Sequence, residues 1–317
     1  LLSHKLIHIL SYIWEKNYLF NYVIMNSTTY SILVPIGFSE QSIIALEQAE
    51  RLATLVDGEI TLLSVIETSG VLSRLFGEDD EKYTDLKLEL QARLDKLATD
   101  LSVRSGLKVN AMAAKGKVYQ KIVEVAELIS AKLIVMGTNG VPSDFAKKVI
   151  GSNAFRVVSI SPCPVITIKG KDHFEGCRTI VLPLDLEKET KQKVSHALTL
   201  ARLWSSTVKV VSVVEGSDMD VLAKLNANLN QVRNFLVGGG VKTSIELIKI
   251  DGRSLSKAIL DYSNEHEADL IMIMTQQEND VTSHFIGSAA QSIIYNSEVP
   301  VMSIRPVVKI SDVYDLP

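Results

Sequence analysis

The chain repeats itself. ILVPIGFSE at residues 32–40 is answered by IVLPLDLEK at 180–188, an offset of 148 that runs without a gap through SVIE (64–67) and SVVE (212–215). The offset then falls to 136, as Gly116 matches Gly252, so the first half is 12 residues longer between its second and third strands. ISAKLIVMGT (129–138) matches HEADLIMIMT (266–275), Gly151-Ser152 matches Gly287-Ser288, and SPCPVITI (161–168) matches SEVPVMSI (297–304). A unit repeated over nearly all of residues 28–305 requires two domains of one fold. The expected division is an extension over 1–27, domains over 28–170 and 177–306, a polar linker from Lys169 to Gly176, and a tail over 307–317.

Within the first unit, short apolar runs alternate with helical periodicity. Tyr30–Ile36, Glu59–Ile66, Leu107–Ala113, Leu133–Met136 and Pro164–Ile168 read as five strands. Between the first two, Ile43, Ile44, Leu46, Leu52 and Leu55 recur at helical spacing behind a capping Ser39 and end at Asp57-Gly58. Glu81–Leu101 and Lys117–Ser130 read as amphipathic helices, and another follows Gly151. Strands alternating with helices imply right-handed crossovers and a doubly wound parallel sheet covered on both faces.

Composition narrows the function. A net charge of −4 with pI near 5.9 gives no basic surface for nucleic acid. Two cysteines, Cys163 and Cys177, make no disulfide framework and fit a reducing cytoplasm. No apolar run reaches the roughly 20 residues of a membrane span. Residues 1–24 are rich in Leu, Ile and aromatics but broken by Lys5, Glu15 and Lys16. They read as sequence upstream of a natural start at Met25, with an amphipathic helix docking on the body or a membrane surface as the alternative.

One stretch has the layout of a ligand loop. Leu133–Met136 runs into Gly137-Thr138-Asn139-Gly140, and Gly151-Ser152-Asn153 opens the next helix. Glycines let backbone approach a ligand, and free N–H groups at a helix start favour an anion. The same glycines would equally serve a tight turn and a helix start with no ligand.

ILVPIGFSE, SVIE and LIVMGTNG followed by GSNAFRVVSISPCPVITI resemble the universal stress protein family, in both halves. The resemblance implies two tandem adenine-nucleotide α-hydrolase-like domains, each a five-stranded sheet in the order 3-2-1-4-5. It implies a stress-induced, non-enzymatic, mainly cytoplasmic protein, some members of which bind ATP or AMP through Gly-x2-Gly-x9-Gly-[Ser/Thr]. In that strand order the winding reverses between strands 1 and 4, and a ligand belongs outside their carboxyl ends. Pro35, Ile36 and Gly37 end strand 1, and Val65 matches the family position beside adenine. Phosphates would lie on Gly137, Thr138 and Gly140 and at Gly151, Ser152 and Asn153, with Lys147 and Lys148 in the spacer.

Each half departs from the pattern. Where the family has an Asp after strand 1, domain 1 has Gly37, a loss of roughly 1–3 kcal/mol of binding. Its spacer, residues 141–150, counts ten residues instead of nine. Domain 2 keeps the carboxylate as Asp185, but Met274 and Gln277 replace the loop glycines. Any ATP or AMP is therefore expected in domain 1 only.

No catalytic or metal site is expected. None of the six histidines stands at metal-ligand spacing, there is no nucleophile elbow or P-loop lysine, and Asp185, Asp261 and Asp269 show no acid–base partner. The signatures of nucleotidyl-transferring relatives of the fold are absent, so that enzyme reading ranks last. The standing alternative is a scaffold acting through protein contacts. The fifth strands, PVITI and PVMSI, would be apolar sheet edges. Family dimers pair through this edge, which implies pairing of the two lobes and a further homodimer.

Overall fold

The computed structural model describes residues 29–67, 80–138, 152–169, 177–184, 190–216, 218–250, 252–275 and 286–306. The extension over 1–27, Gly140, Gly151, the spacer 141–150, Asp185, Gln277 and the tail lie outside them.

The first lobe runs β1 (Ser31–Pro35), α1 (Glu40–Leu55), β2 (Glu59–Glu67), α2 (Asp80–Ser105), β3 (Lys108–Gly116), α3 (Val118–Leu128), β4 (Leu133–Gly137), α4 (Ser152–Ile160) and β5 (Val165–Ile168). The second runs β6 (Thr179–Leu184), α5 (Thr190–Leu203), β7 (Thr207–Val214), α6 (Met219–Gly238), β8 (Thr243–Lys249), α7 (Leu255–Glu265), β9 (Leu270–Met274), α8 (Ser288–Asn296) and β10 (Val301–Ile304). Helix starts follow their sequence signals. Ser39 Oγ accepts the Ser42 N–H at 3.3 Å, Asp218 Oδ1 accepts the Asp220 N–H at 2.9 Å, and Ser254 Oγ accepts the Lys257 N–H at 3.2 Å.

Strand order is β3-β2-β1-β4-β5-β10-β9-β6-β7-β8, so each lobe has the order 3-2-1-4-5. Pairing within lobes is parallel. Across the seam β5 and β10 pair antiparallel, with Val301 opposite Thr167, Met302 opposite Ile166 and Ser303 opposite Val165. The two apolar edges thus cover one another and merge two five-stranded sheets into one of ten strands. The seam is tied at its end by Lys169, whose ammonium donates to the Tyr295 carbonyl at 2.9 Å and stands 3.8 Å from Glu298.

The central strands are apolar along their whole length because helices cover both faces. Ile32, Leu33, Val34, Leu133, Ile134, Val135, Ile180, Val181 and Leu182 are all fully buried. One face packs under α1, α2, α5 and α6 through residues such as Leu46, Leu94, Leu198 and Leu229. The other packs under α3, α4, α7 and α8 through Ile122, Val157, Ile259 and Ile293. Each layer continues across the seam, as expected when the pseudo-two-fold axis stands normal to the sheet.

Register sharpens the repeat. Ile60 lies opposite Val109, and Val208 opposite Thr243. With Ile60 and Val208 148 apart, the third strands are offset by 134 (243 less 109), not 136; two extra residues enter the second lobe between β8 and Gly252. The left-handed glycines that precede these strands, Gly106 at φ 75° and Gly240 at φ 84°, are also 134 apart.

Candidate nucleotide crevice

β1 pairs with β2 over five residues but with β4 only at Ile32–Leu133 and Leu33–Ile134. The two strands diverge toward their carboxyl ends, where the winding reverses, and a crevice opens there. Ile36 is buried, and its N–H donates to the Leu63 carbonyl at 2.7 Å. Gly37 is exposed, and a Cβ added to it would meet nothing within 4 Å. Phe38 follows in the left-handed region at φ 55°, its ring packed against the core with the Arg93 guanidinium 4.2 Å above it. Val65 is half-buried on β2. These residues wall one side of the crevice.

On the other side, the last residues of β4 are already committed to the fold. A Cβ on Gly137 would lie 2.8 Å from Gln41 Cβ and 3.0 Å from Gln41 C, so glycine is required there for the first turn of α1 to sit on β4. Thr138 is buried, and its N–H donates to the Ile168 carbonyl at 2.9 Å, with its hydroxyl 3.3 Å from the same atom. That amide holds the end of β5 and is not presented to a phosphate. Ser152 begins α4, with Asn153 half-buried behind it. Pro35, Ile36, Gly37, Val65, Gly137, Thr138 and the start of α4 therefore gather at the carboxyl ends of the central strands.

The second crevice has the same divergence, β6 meeting β9 only at Ile180–Leu270 and Val181–Ile271, but a buried side chain meets a backbone carbonyl at its edge. Lys193 of α5 is buried, and its ammonium donates to the Pro183 carbonyl at the divergent end of β6. Ser212 Oγ donates to the Leu184 carbonyl at 3.0 Å, and the Gly287 N–H at the head of α8 donates to the Thr275 carbonyl at 2.9 Å. Met274 stands in place of Gly137. In the first lobe the position of Lys193, 148 residues earlier, is Ala45, fully buried. Sequence reasoning passed over this pair. The signal was a lone lysine on the apolar face of a helix that aligns with an alanine. One turn on, burial holds His196 below its ordinary value, so it adds no positive charge at neutral pH.

Elsewhere the titratable groups serve the fold. Cys163 and Cys177 are free thiols; burial pushes Cys163 up to about 11 and Cys177 further, so both stay protonated. Asp261 is paired with Lys257 and with Arg253 at 3.2 Å, and Asp269 accepts the Thr179 N–H at 2.8 Å. His266 stacks on Tyr262 with ring centroids 3.9 Å apart. Among the described residues no three His, Cys, Asp or Glu side chains gather to hold a metal, and no helix is long and apolar enough to cross a membrane.

The universal stress protein family model matches residues 29–169 and again 176–305. The chain belongs to the universal stress protein family. It is a tandem member, with one family unit per lobe. A universal stress protein of Methanocaldococcus jannaschii is 29% identical over 156 residues, 49% of this chain and 91% of that protein. One of Mycolicibacterium smegmatis is 21% identical over 299 residues and spans both lobes, 90% of this chain and 100% of its own length. Among solved structures, a universal stress protein from Archaeoglobus fulgidus superposes with a TM-score of 0.70 at 21% identity, covering 88% of this chain and 99% of its own. That likeness establishes the fold of this tandem stress protein.

Proposed function

We propose that this tandem universal stress protein acts in the stress response by binding an adenine nucleotide, ATP or AMP, in the crevice of its first lobe alone. The supporting observation is the difference between the crevices. In lobe 2 a buried ammonium satisfies the Pro183 carbonyl at the divergent end of β6. In lobe 1 the lysine position is Ala45, and the space beside Gly37 is open. On this reading Pro35, Ile36, Gly37 and Val65 receive base and ribose. Phosphates take Gly140, Gly151, Ser152 and Asn153, with Gly137 and Thr138 shaping the floor.

Binding without turnover is the expected mode, as the resemblance to the family implies. Two protonated, unpaired thiols favour the cytoplasm as its compartment. Titration calorimetry with ATP and AMP, together with chromatography of nucleotide released from the purified protein, tests the proposal. A measurable heat or a co-purified nucleotide supports it. Neither appearing would leave the scaffold reading, which the missing carboxylate at Gly37 and the spent Thr138 amide favour.

A further inference from the structure

The ten-stranded sheet has two outer edges, β3 and β8, and they are treated differently. The Val208 N–H of β7 donates to the Lys242 carbonyl just before β8, so even-numbered residues of β8 face β7 and Ile245 and Leu247 turn their backbone groups outward. The equivalent outward residues of β3, 134 positions earlier, are Ala111 and Ala113. In β3 these groups are occupied. Gln91 of α2 donates from Nε2 to the Ala111 carbonyl at 3.2 Å and accepts the Ala113 N–H on Oε1 at 2.8 Å. One side-chain amide thus makes the two bonds that a residue of a further parallel strand would make opposite Met112. Asp95 Oδ1 accepts the second Nε2 hydrogen at 2.8 Å and holds the amide in that orientation. α2 packs along β3, and an open groove lined by Asp95, Thr99 and Ser102 of the helix and by Val109 and Ala111 of the strand runs between them.

In lobe 2 the offset of 134 puts Leu225 at the Gln91 position, buried and unable to make these bonds. Among the described residues no side chain bonds to the outward groups of Ile245 or Leu247. An unpaired edge is a template for another strand. A sheet open at both edges could add copies head to tail, β8 of one on β3 of the next, and such a heterologous contact does not close.

We propose that the Gln91 carboxamide is an edge plug, which denies β3 to the β8 edge of a second copy of this chain and so prevents open-ended head-to-tail addition. The test is sedimentation velocity of the full chain over a wide concentration range, comparing wild type with Gln91→Leu, the residue lobe 2 carries there. Wild type should stay at or below a dimer, and Gln91→Leu should grow past a dimer as concentration rises. Adding Leu247→Pro, which removes an outward N–H from β8, should return the variant to wild-type size. A Gln91→Leu protein with a native circular dichroism spectrum and unchanged sedimentation would overturn the plug. Growth that survives Leu247→Pro would overturn β8 as the occupant. Hydrogen exchange on wild type gives a test that needs no variant. The Ala113 amide should exchange roughly tenfold more slowly than the outward amide of Val109 on the same strand. Equal rates would also sink the proposal.

Discussion

Restoring the carboxylate that lobe 1 lacks is the sharpest probe of its crevice. Gly37 is exposed, its φ is not left-handed, and the space its Cβ would enter is empty to 4 Å, so Gly37→Asp introduces no clash and no backbone strain. A hydrogen bond from a ligand hydroxyl to a charged group contributes about 1.5–3 kcal/mol when water is excluded. Exposure at this position cuts that to about 1 kcal/mol. Repulsion from the phosphates, some 10 Å away through water, is about 0.4 kcal/mol per charge without salt, and physiological salt cuts it to roughly a third, so the nearly two charges of AMP take back about 0.3 kcal/mol. The net for AMP is about 0.7 kcal/mol, a gain of roughly threefold in affinity, and for ATP less. Calorimetric titration of wild type and Gly37→Asp with AMP, ATP and a dideoxy analogue reads this directly. The gain should appear with AMP and vanish with the analogue, which has no ribose hydroxyl to donate. An unchanged or weaker affinity for AMP, in a variant with an unchanged melting temperature, would refute the placement of the ribose beside residue 37.

Two other perturbations separate fold from site. Gly137→Ala forces a Cβ against the Gln41 main chain, which has little room to yield, and should cost about 1–3 kcal/mol of stability, read as a lower midpoint in urea. A lost nucleotide signal in a larger variant at 137 would therefore report a displaced α1, not a missing phosphate contact. Cys163 ionises near 9.0 when unfolded and is pushed up to about 11 by burial, so the folded state holds its proton more tightly. The stability this thiol contributes is complete below pH 9 and is lost as pH rises through about 11; urea unfolding across that window should show the decline, and Cys163→Ala should flatten it.

Much of the fold was legible because both faces of the sheet are covered. A strand buried on two sides must be apolar throughout, and the runs at 32–34, 133–136 and 165–168 say so without reference to any partner. Helix starts were legible where one residue carries the signal, as at Ser39. The outer strands were less so. β3 extends to Gly116, three residues past its predicted end, because its exposed half is polar and short of periodicity. The 134-residue offset was hidden for the same reason: the outer strands and the crossings before them carry few residues whose identity both lobes must keep.

The crevice was legible in position and only partly in chemistry. Strand order fixes where the crevice opens, so Pro35, Val65 and Gly137 were placed beside it by topology. What each residue does there depends on contacts that spacing does not encode. Gly137 reads in sequence as room for a phosphate, yet the space its side chain would enter is taken by Gln41 of α1. Thr138 reads as a free loop amide, yet it fastens β5. Lys193 reads as one more surface cation on a helix, yet its ammonium is bonded to a backbone carbonyl in the interior. The last of these carries the argument furthest. A buried ammonium is expensive to desolvate, and it persists only where backbone or ligand oxygens repay that cost. In lobe 2 the Pro183 carbonyl contributes to that repayment permanently. In lobe 1, where Ala45 leaves the equivalent end of β1 without such a donor, the crevice remains available to a ligand that brings its own donors.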